Sequence, residues 1–184
     1  GSMKGLLDQG NEVWFTENND PKRKLKFTLE IIKAHKKLVG INTHRANRIA
    51  EHALTNKLMS EFKSIKTIKP EFKYSNDTRF DFLCDRKIIE VKNVTLTRKN
   101  EIAEFPDAVT SRGTKHLIKL VNSIKKGFKP YVLFLTQIEG IKYFKIAKDI
   151  DIEYYKNYLI AKNSGVNFLA YRCKINSKQI KVEK

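Results

Sequence analysis

Through its first 43 residues the chain carries apolar side chains in short runs, the pattern of strands. Glu12-Val13-Trp14-Phe15 is one run, and a charged loop with Pro21 spans 17–26. Residues 27–34 and 37–42 then predict two strands joined by a tight turn, too little sheet to close a barrel alone. From about 45 to 57, Ala46, Ile49, Ala50, Ala53 and Leu54 fall at helical spacing. Three strands are predicted next. The first, 65–74, contains Pro70, which argues for an edge position or a bulge. The others, 79–83 and 87–94, can pair across Cys84-Asp85-Arg86 as a hairpin. A helix over 107–126 follows, with Leu117, Leu120, Val121 and Ile124 on one stripe and Gly127 where a C-terminal cap belongs. Residues 130–136 are apolar in the manner of a strand buried on both faces in mid-sheet. A strand at 141–146, a helix at 150–163 closed by Gly165 and a strand at 166–175 complete the order. From about residue 45 it reads helix, three strands, helix, strands, helix, strand, with no internal repeat or low-complexity linker.

The hairpin carries the candidate chemistry. Residues two apart in a strand share a face, so Ile89 and Val91 point one way while Glu90 and Lys92 point the other. By the same rule Phe80 and Phe82 share one side, with Arg79 and Asp81 opposite. If all the apolar side chains face one core, Asp81, Glu90 and Lys92 converge. Two carboxylates within reach of each other can bind Mg²⁺ or Mn²⁺, with waters completing the shell. Such an ion activates water and screens a phosphodiester, and a nearby lysine orients the nucleophile or stabilises the transition state. The string Glu-x-Lys has little specificity, since it recurs at Glu61-Phe62-Lys63 and Glu71-Phe72-Lys73. Only Glu90-Val91-Lys92 lies in an apolar strand with an aspartate one hairpin upstream. An exposed strand face with a salt bridge is the plainer alternative. Just beyond, Asp107, Arg112, Lys115 and His116 fall where a loop meets a helix, whose free N–H groups suit an anion. Arg112 can grip a phosphate bidentately. His116, one turn on, sits at the border of the apolar stripe, as a satisfied boundary histidine also would.

Composition narrows the class. A chain of 184 residues holds one good core, or one core and a small satellite. No apolar run approaches the roughly 20 residues of a membrane-spanning helix, and the opening residues have no signal-peptide core. Cys84 and Cys173 stand far apart without metal-site spacing, which suits a reducing cytoplasm better than a disulfide framework or zinc. The formal net charge of +17 favours a polyanionic partner, nucleic acid being the commonest. A lysine-rich surface that merely keeps the protein solvated is the alternative reading. Basic clusters such as Lys22-Arg23-Lys24 are suited to backbone phosphates and so to binding with little sequence preference.

Several stretches resemble one known family. They are Asn19-Asp20-Pro21-Lys22-Arg23-Lys24, Asn42-Thr43 with Asn47-Arg48, Arg79-Phe80-Asp81-Phe82-Leu83 and Glu90-Val91-Lys92-Asn93-Val94-Thr95-Leu96. Further on come Phe105-Pro106-Asp107-Ala108-Val109-Thr110, Arg112-Gly113 with Lys115-His116-Leu117, and Ala170-Tyr171-Arg172-Cys173. In that order they span nearly the whole chain, which is identified as a member of the sugar fermentation stimulation protein family, SfsA. The resemblance implies an α/β fold: a restriction-endonuclease-like (PD-(D/E)xK) αβββαβ core over 45–184, preceded by a partial OB-like β-barrel segment over 1–44. It implies DNA binding, with double-stranded DNA as the expected partner, and a link to sugar-fermentation genes. Mapped by motif, Asp81 and Glu90 are the metal carboxylates and Lys92 the catalytic lysine. Asp107, Arg112 and His116 are accessory to the same site, and Lys22, Arg23, Lys24, Arg48, Arg112 and Lys115 are the expected DNA contacts. Phe80 stands where the wider nuclease pattern has proline. Gly1 to Leu7 resembles an internal family motif, implying that the first barrel strands precede it; if Gly1-Ser2 is instead a cloning scar, that match is accidental. A DNA-binding scaffold and a Mg²⁺- or Mn²⁺-dependent nuclease are the two readings that follow.

Overall fold

The structure is a computed structural model that describes residues 2–183; Gly1, the first residue of the opening motif, and Lys184 lie outside the described residues. The N-terminal part is an antiparallel three-stranded sheet in the order β1 (Glu12–Glu17), β2 (Phe27–Ala34), β3 (Lys37–Gly40). Helix α1 (Thr43–Thr55) follows at once. It starts two residues earlier than its apolar spacing suggests, because the Asn42 side chain accepts the His44 amide and caps it.

The main sheet has six strands in the order β12 (Ile180–Val182), β11 (Asn167–Ile175), β9 (Lys129–Thr136), β6 (Lys87–Val94), β5 (Thr78–Cys84), β4 (Lys69–Ser75). Strands β6, β9 and β11 run parallel, and β9 lies between the other two, as its unbroken apolar sequence requires. Pro70 is tolerated because β4 is the sheet edge, and the β4–β5 register slips between Lys73 and Ser75. Helix α1 buries Ala46, Ile49, Ala50, Ala53 and Leu54 on one face of the sheet with Ile89, Val91, Leu133 and Leu135. The opposite face receives α2 (Ser111–Ile124) and α3 (Ile152–Asn163), through Leu117, Leu120, Tyr154 and Ala161 against Ile88, Val94, Val132 and Phe134. The αβββαβ order of the core is thus α1, β4, β5, β6, α2, β9.

Three short strands were not legible in the hydrophobic pattern. Strands β7 (Leu96–Lys99) and β8 (Ile102–Phe105) form a hairpin, and β10 (Tyr143–Ile146), within the predicted 141–146 strand, joins β8 in parallel rather than the main sheet. The third, β12, adds to β11. The predicted helix over 107–126 is shorter, beginning at Ser111 after a Thr110 cap, so Asp107 belongs to the preceding loop. The N-terminal sheet is docked through Gly40, whose amide donates to the Gln137 carbonyl at 2.8 Å. A Cβ at Gly40 would stand 2.6 Å from Gln137 Oε1 and 2.7 Å from Ile180 Cδ1, so a side chain there would force both neighbours to shift.

Candidate functional site

The site begins with a break in a ladder. Strands β5 and β6 pair from Cys84↔Lys87 to Phe82↔Ile89, and the next step, Asp81 opposite Glu90, is not made. The Val91 amide donates instead to Asp81 Oδ2 at 2.6 Å, so a side chain takes the place of a backbone acceptor. The expected alternation also slips here. Phe80 packs in the α2–α3 core and Phe82 in the α1 core, contrary to the reading that put both on one side. This irregularity turns Asp81 to the sheet opening, where Asn47 of α1 donates to Oδ1 at 2.8 Å.

Regular alternation puts Glu90 and Lys92 on the α2 side of β6. Glu90 is 4 % exposed, and its Oε1 receives Lys92 Nζ at 2.6 Å and lies 2.6 Å from His116 Nδ1. Burial pushes the Glu90 carboxyl up, but the Lys92 charge and the His116 hydrogen bond outweigh it and hold the group below its ordinary value. Asp81 goes the other way. Burial first, then the charge of Glu90, raises its pKa to about 6, against the opposing hydrogen bonds from Val91 and Asn47. Two carboxylates in one cleft titrate apart in this manner where only one has a cationic partner.

A cavity of about 810 Å³ opens over these groups, lined by Asp81, Glu90, Lys92, Asp107 and Arg112 among others. His116 joins through Glu90, and Lys115 stands just outside, in a neighbouring groove that Arg112 also lines. Asp107 Oδ2 accepts the Ser2 amide at 2.6 Å and the Met3 amide at 3.3 Å, so the N-terminal segment closes one wall. Four expected contacts are not brought here. Lys22, Arg23 and Lys24 lie in the exposed β1–β2 loop, with Arg23 reaching Thr28 Oγ1 at 3.3 Å. Arg48 lines a separate cavity on the other flank of α1, with Trp14, Arg45 and His52. Asn47 was not singled out by its chemistry, although an amide beside the buried Ala46 and Ala50 is a polar residue at a core boundary.

Among the described residues no three His, Cys, Asp or Glu side chains form a metal-binding group. The donor set is therefore two carboxylates, with backbone carbonyls or water to complete it, a set that fits a hard cation retaining several waters. The Glu90 charge, which adds to burial in raising the Asp81 pKa, would be offset by such an ion.

Comparison with known proteins identifies the family and the fold. The model described as the sugar fermentation stimulation protein RE domain matches residues 44–179, and that described as the SfsA N-terminal OB domain matches 1–41. The sugar fermentation stimulation protein homolog of Pelagibacter ubique is 62 % identical, over all of this chain and 81 % of its own length. The Bartonella quintana homolog is 39 % identical over 96 % of this chain and 77 % of its own. A solved structure of SfsA from Pyrococcus furiosus in complex with Ca²⁺ superposes with a TM-score of 0.89. It is 22 % identical and covers all of this chain and 80 % of that one, which fixes the fold. The chain has a mixed α/β domain in αβββαβ order, matched by the RE domain model, and the OB-like β segment before it, and no described helix is long and apolar enough to cross a membrane. It belongs to the sugar fermentation stimulation protein family.

Proposed function

We propose that this protein binds double-stranded DNA through its phosphate backbone and handles one phosphodiester, with a divalent cation, in the Asp81–Glu90 pocket. The observation that carries the reading is the pairing of Asp81 and Glu90 in one cavity with two cationic side chains, Lys92 and Arg112. The carboxylates would hold Mg²⁺ or Mn²⁺; that the Pyrococcus furiosus relative is in complex with Ca²⁺ supports use of a divalent ion. When bound, such an ion screens phosphate charge and lowers the pKa of its water. Arg112 grips a non-bridging phosphate oxygen, and His116 holds Glu90 in one rotamer. With backbone contacts dominating, sequence preference is weak.

A second reading, phosphodiester hydrolysis, is favoured by one specific observation: Lys92 stands on the same strand face as Glu90, in the same pocket as Asp81. There its ammonium can orient a water or stabilise charge developing on the phosphate. Both readings are tested by incubating labelled duplex and single-stranded DNA with wild type and Asp81→Ala, in Mg²⁺, Mn²⁺ or EDTA. Binding and cleavage are followed together. Metal-strengthened duplex binding that Asp81→Ala abolishes, with binding in EDTA kept or improved, is the expected result. Cleavage lost in the variant establishes the hydrolase. A wild type that binds no DNA under any condition overturns both readings.

A further inference from the structure

Helix α2 has a second, outward stripe. Its buried stripe of Gly113, His116, Leu117 and Leu120 packs on the sheet, while Arg112, Lys115 and Lys119 follow one another at three- and four-residue steps along its flank. Facing them is the β4–β5 turn, where Lys73 and Arg79 are cross-strand partners. Together they line a groove of about 600 Å³ whose wall holds these five cationic side chains and the single carboxylate of Asp77. Asp77 is held in the turn by Ser75, Thr78 and Lys119. Arg79 is paired with Glu71 at 3.2 Å, whereas Lys73, Arg112 and Lys115 have no ion-pair partner among the described residues. Three of the five charges are thus left without internal compensation, at a cost that a bound polyanion would relieve.

The groove is joined to the Asp81–Glu90 pocket. Arg112 lines both, and the His116 ring borders the groove while its Nδ1 faces Glu90. From Arg112 to Lys119 the helix advances about 10 Å, the rise of about three nucleotides along one strand of a duplex. We infer that the groove between the β4–β5 turn and α2 is a phosphate-backbone subsite, taking up about three nucleotides of the strand that leaves the Asp81–Glu90 pocket. The inference rests on the DNA-binding reading above. It adds Lys73, Arg79 and Lys119 to the interface, and it gives the bound strand a direction along α2.

The test is the salt dependence of binding, by fluorescence anisotropy in Ca²⁺ with a labelled duplex of about 20 base pairs. Wild type is compared with the triple variant Lys73→Ser, Lys115→Ser, Lys119→Ser. A control, Lys156→Ser, Lys162→Ser, Lys174→Ser, loses the same charge from α3 and β11. The groove variant is expected to lose about 2–3 from the slope of log affinity against log salt and to bind about 10-fold or more weakly at low salt. The control keeps the wild-type slope. A thymidine dinucleotide, with one phosphodiester, fills the pocket alone and binds wild type and groove variant equally. An unchanged slope in the groove variant overturns the inference while DNA binding that depends on Asp81 stands. A control that loses as much slope as the groove variant overturns it as well. No DNA binding by wild type overturns the inference and the reading beneath it together.

Discussion

At Asp81 a carboxylate receives the Val91 amide where a backbone carbonyl ordinarily would, and its burial beside Glu90 has a measurable consequence. The group's pKa rises from 3.8 to about 6 on folding, so the folded state binds more protons than the unfolded one between those values. Stability therefore falls as pH rises through that window, and the cost of the ionised group is fully present above it. Asp81→Asn is expected to unfold at higher temperature or denaturant at pH 7.5, by about 1–3 kcal/mol. The gain shrinks to nothing below about pH 4; a variant that is equally or less stable at pH 7.5 contradicts this electrostatic account. Glu104 has the opposite character. Fully buried on β8, it is held by Arg98 at 2.7 and 2.8 Å and by Lys145 at 3.0 Å. These partners keep its carboxyl below the ordinary range, so its contribution is present at neutral pH and lost as pH falls through its folded value. Glu104→Ala leaves the partly exposed Arg98 paired with Asp149 alone, and we expect a loss of about 1–3 kcal/mol, read from chemical denaturation.

Along α2 the usual preference of helices is reversed at one position. Alanine in place of an exposed helical glycine adds about 1 kcal/mol. A Cβ at Gly113, however, would meet Thr110 Oγ1 at 2.8 Å and the Tyr154 ring at 3.2 Å. Thr110 caps the helix through the Gly113 amide and cannot give way without losing that bond. Gly113→Ala is therefore expected to destabilise by about 1–3 kcal/mol, and a melting temperature at or above wild type would refute the argument. The elements with strong periodicity were legible in the sequence: α1, the β5–β6 hairpin, the central β9 and the apolar stripe of α2. Those that escaped it, β7, β8 and β12, are only three or four residues long, too short to show a period. In β7 and β8, Arg98 and Glu104 read as solvent-facing charges until they are seen to neutralise each other and Asp149. The candidate site was legible as residue types, because Asp81, Glu90 and Lys92 share a hairpin. The slip that separates Phe80 from Phe82 was not, since strict alternation gives no sign of where a ladder opens. Nor was the groove lined by Lys73, Arg79 and Lys119, which only the packing of α2 beside the edge strand assembles.

Taken whole, the molecule couples its N-terminal sheet to the core that carries the pocket. Ile31 belongs to the α1-side core, Ile32 and Val39 to the other, and the docking runs through Gly40 and Gln137. Heat or denaturant should accordingly melt both parts in one transition, with probes of secondary and tertiary structure coinciding; two separated transitions would show the sheet to be independent. The formal charge of +17 makes any DNA complex weaken with salt, and the share of each cluster follows from its place. Lys22, Arg23 and Lys24 line neither the pocket nor the groove, so their joint replacement should reduce the salt slope less than loss of Lys73, Lys115 and Lys119 does. Whether Asp81 and Glu90 together bind a divalent cation can be read without DNA. Mn²⁺ titrated into wild type and Asp81→Asn, with free Mn²⁺ read by electron paramagnetic resonance, isolates that step. Wild type is expected to take up one equivalent of Mn²⁺ and Asp81→Asn to lose it. Uptake that is equal in the two proteins, or absent from wild type, would rule out the site.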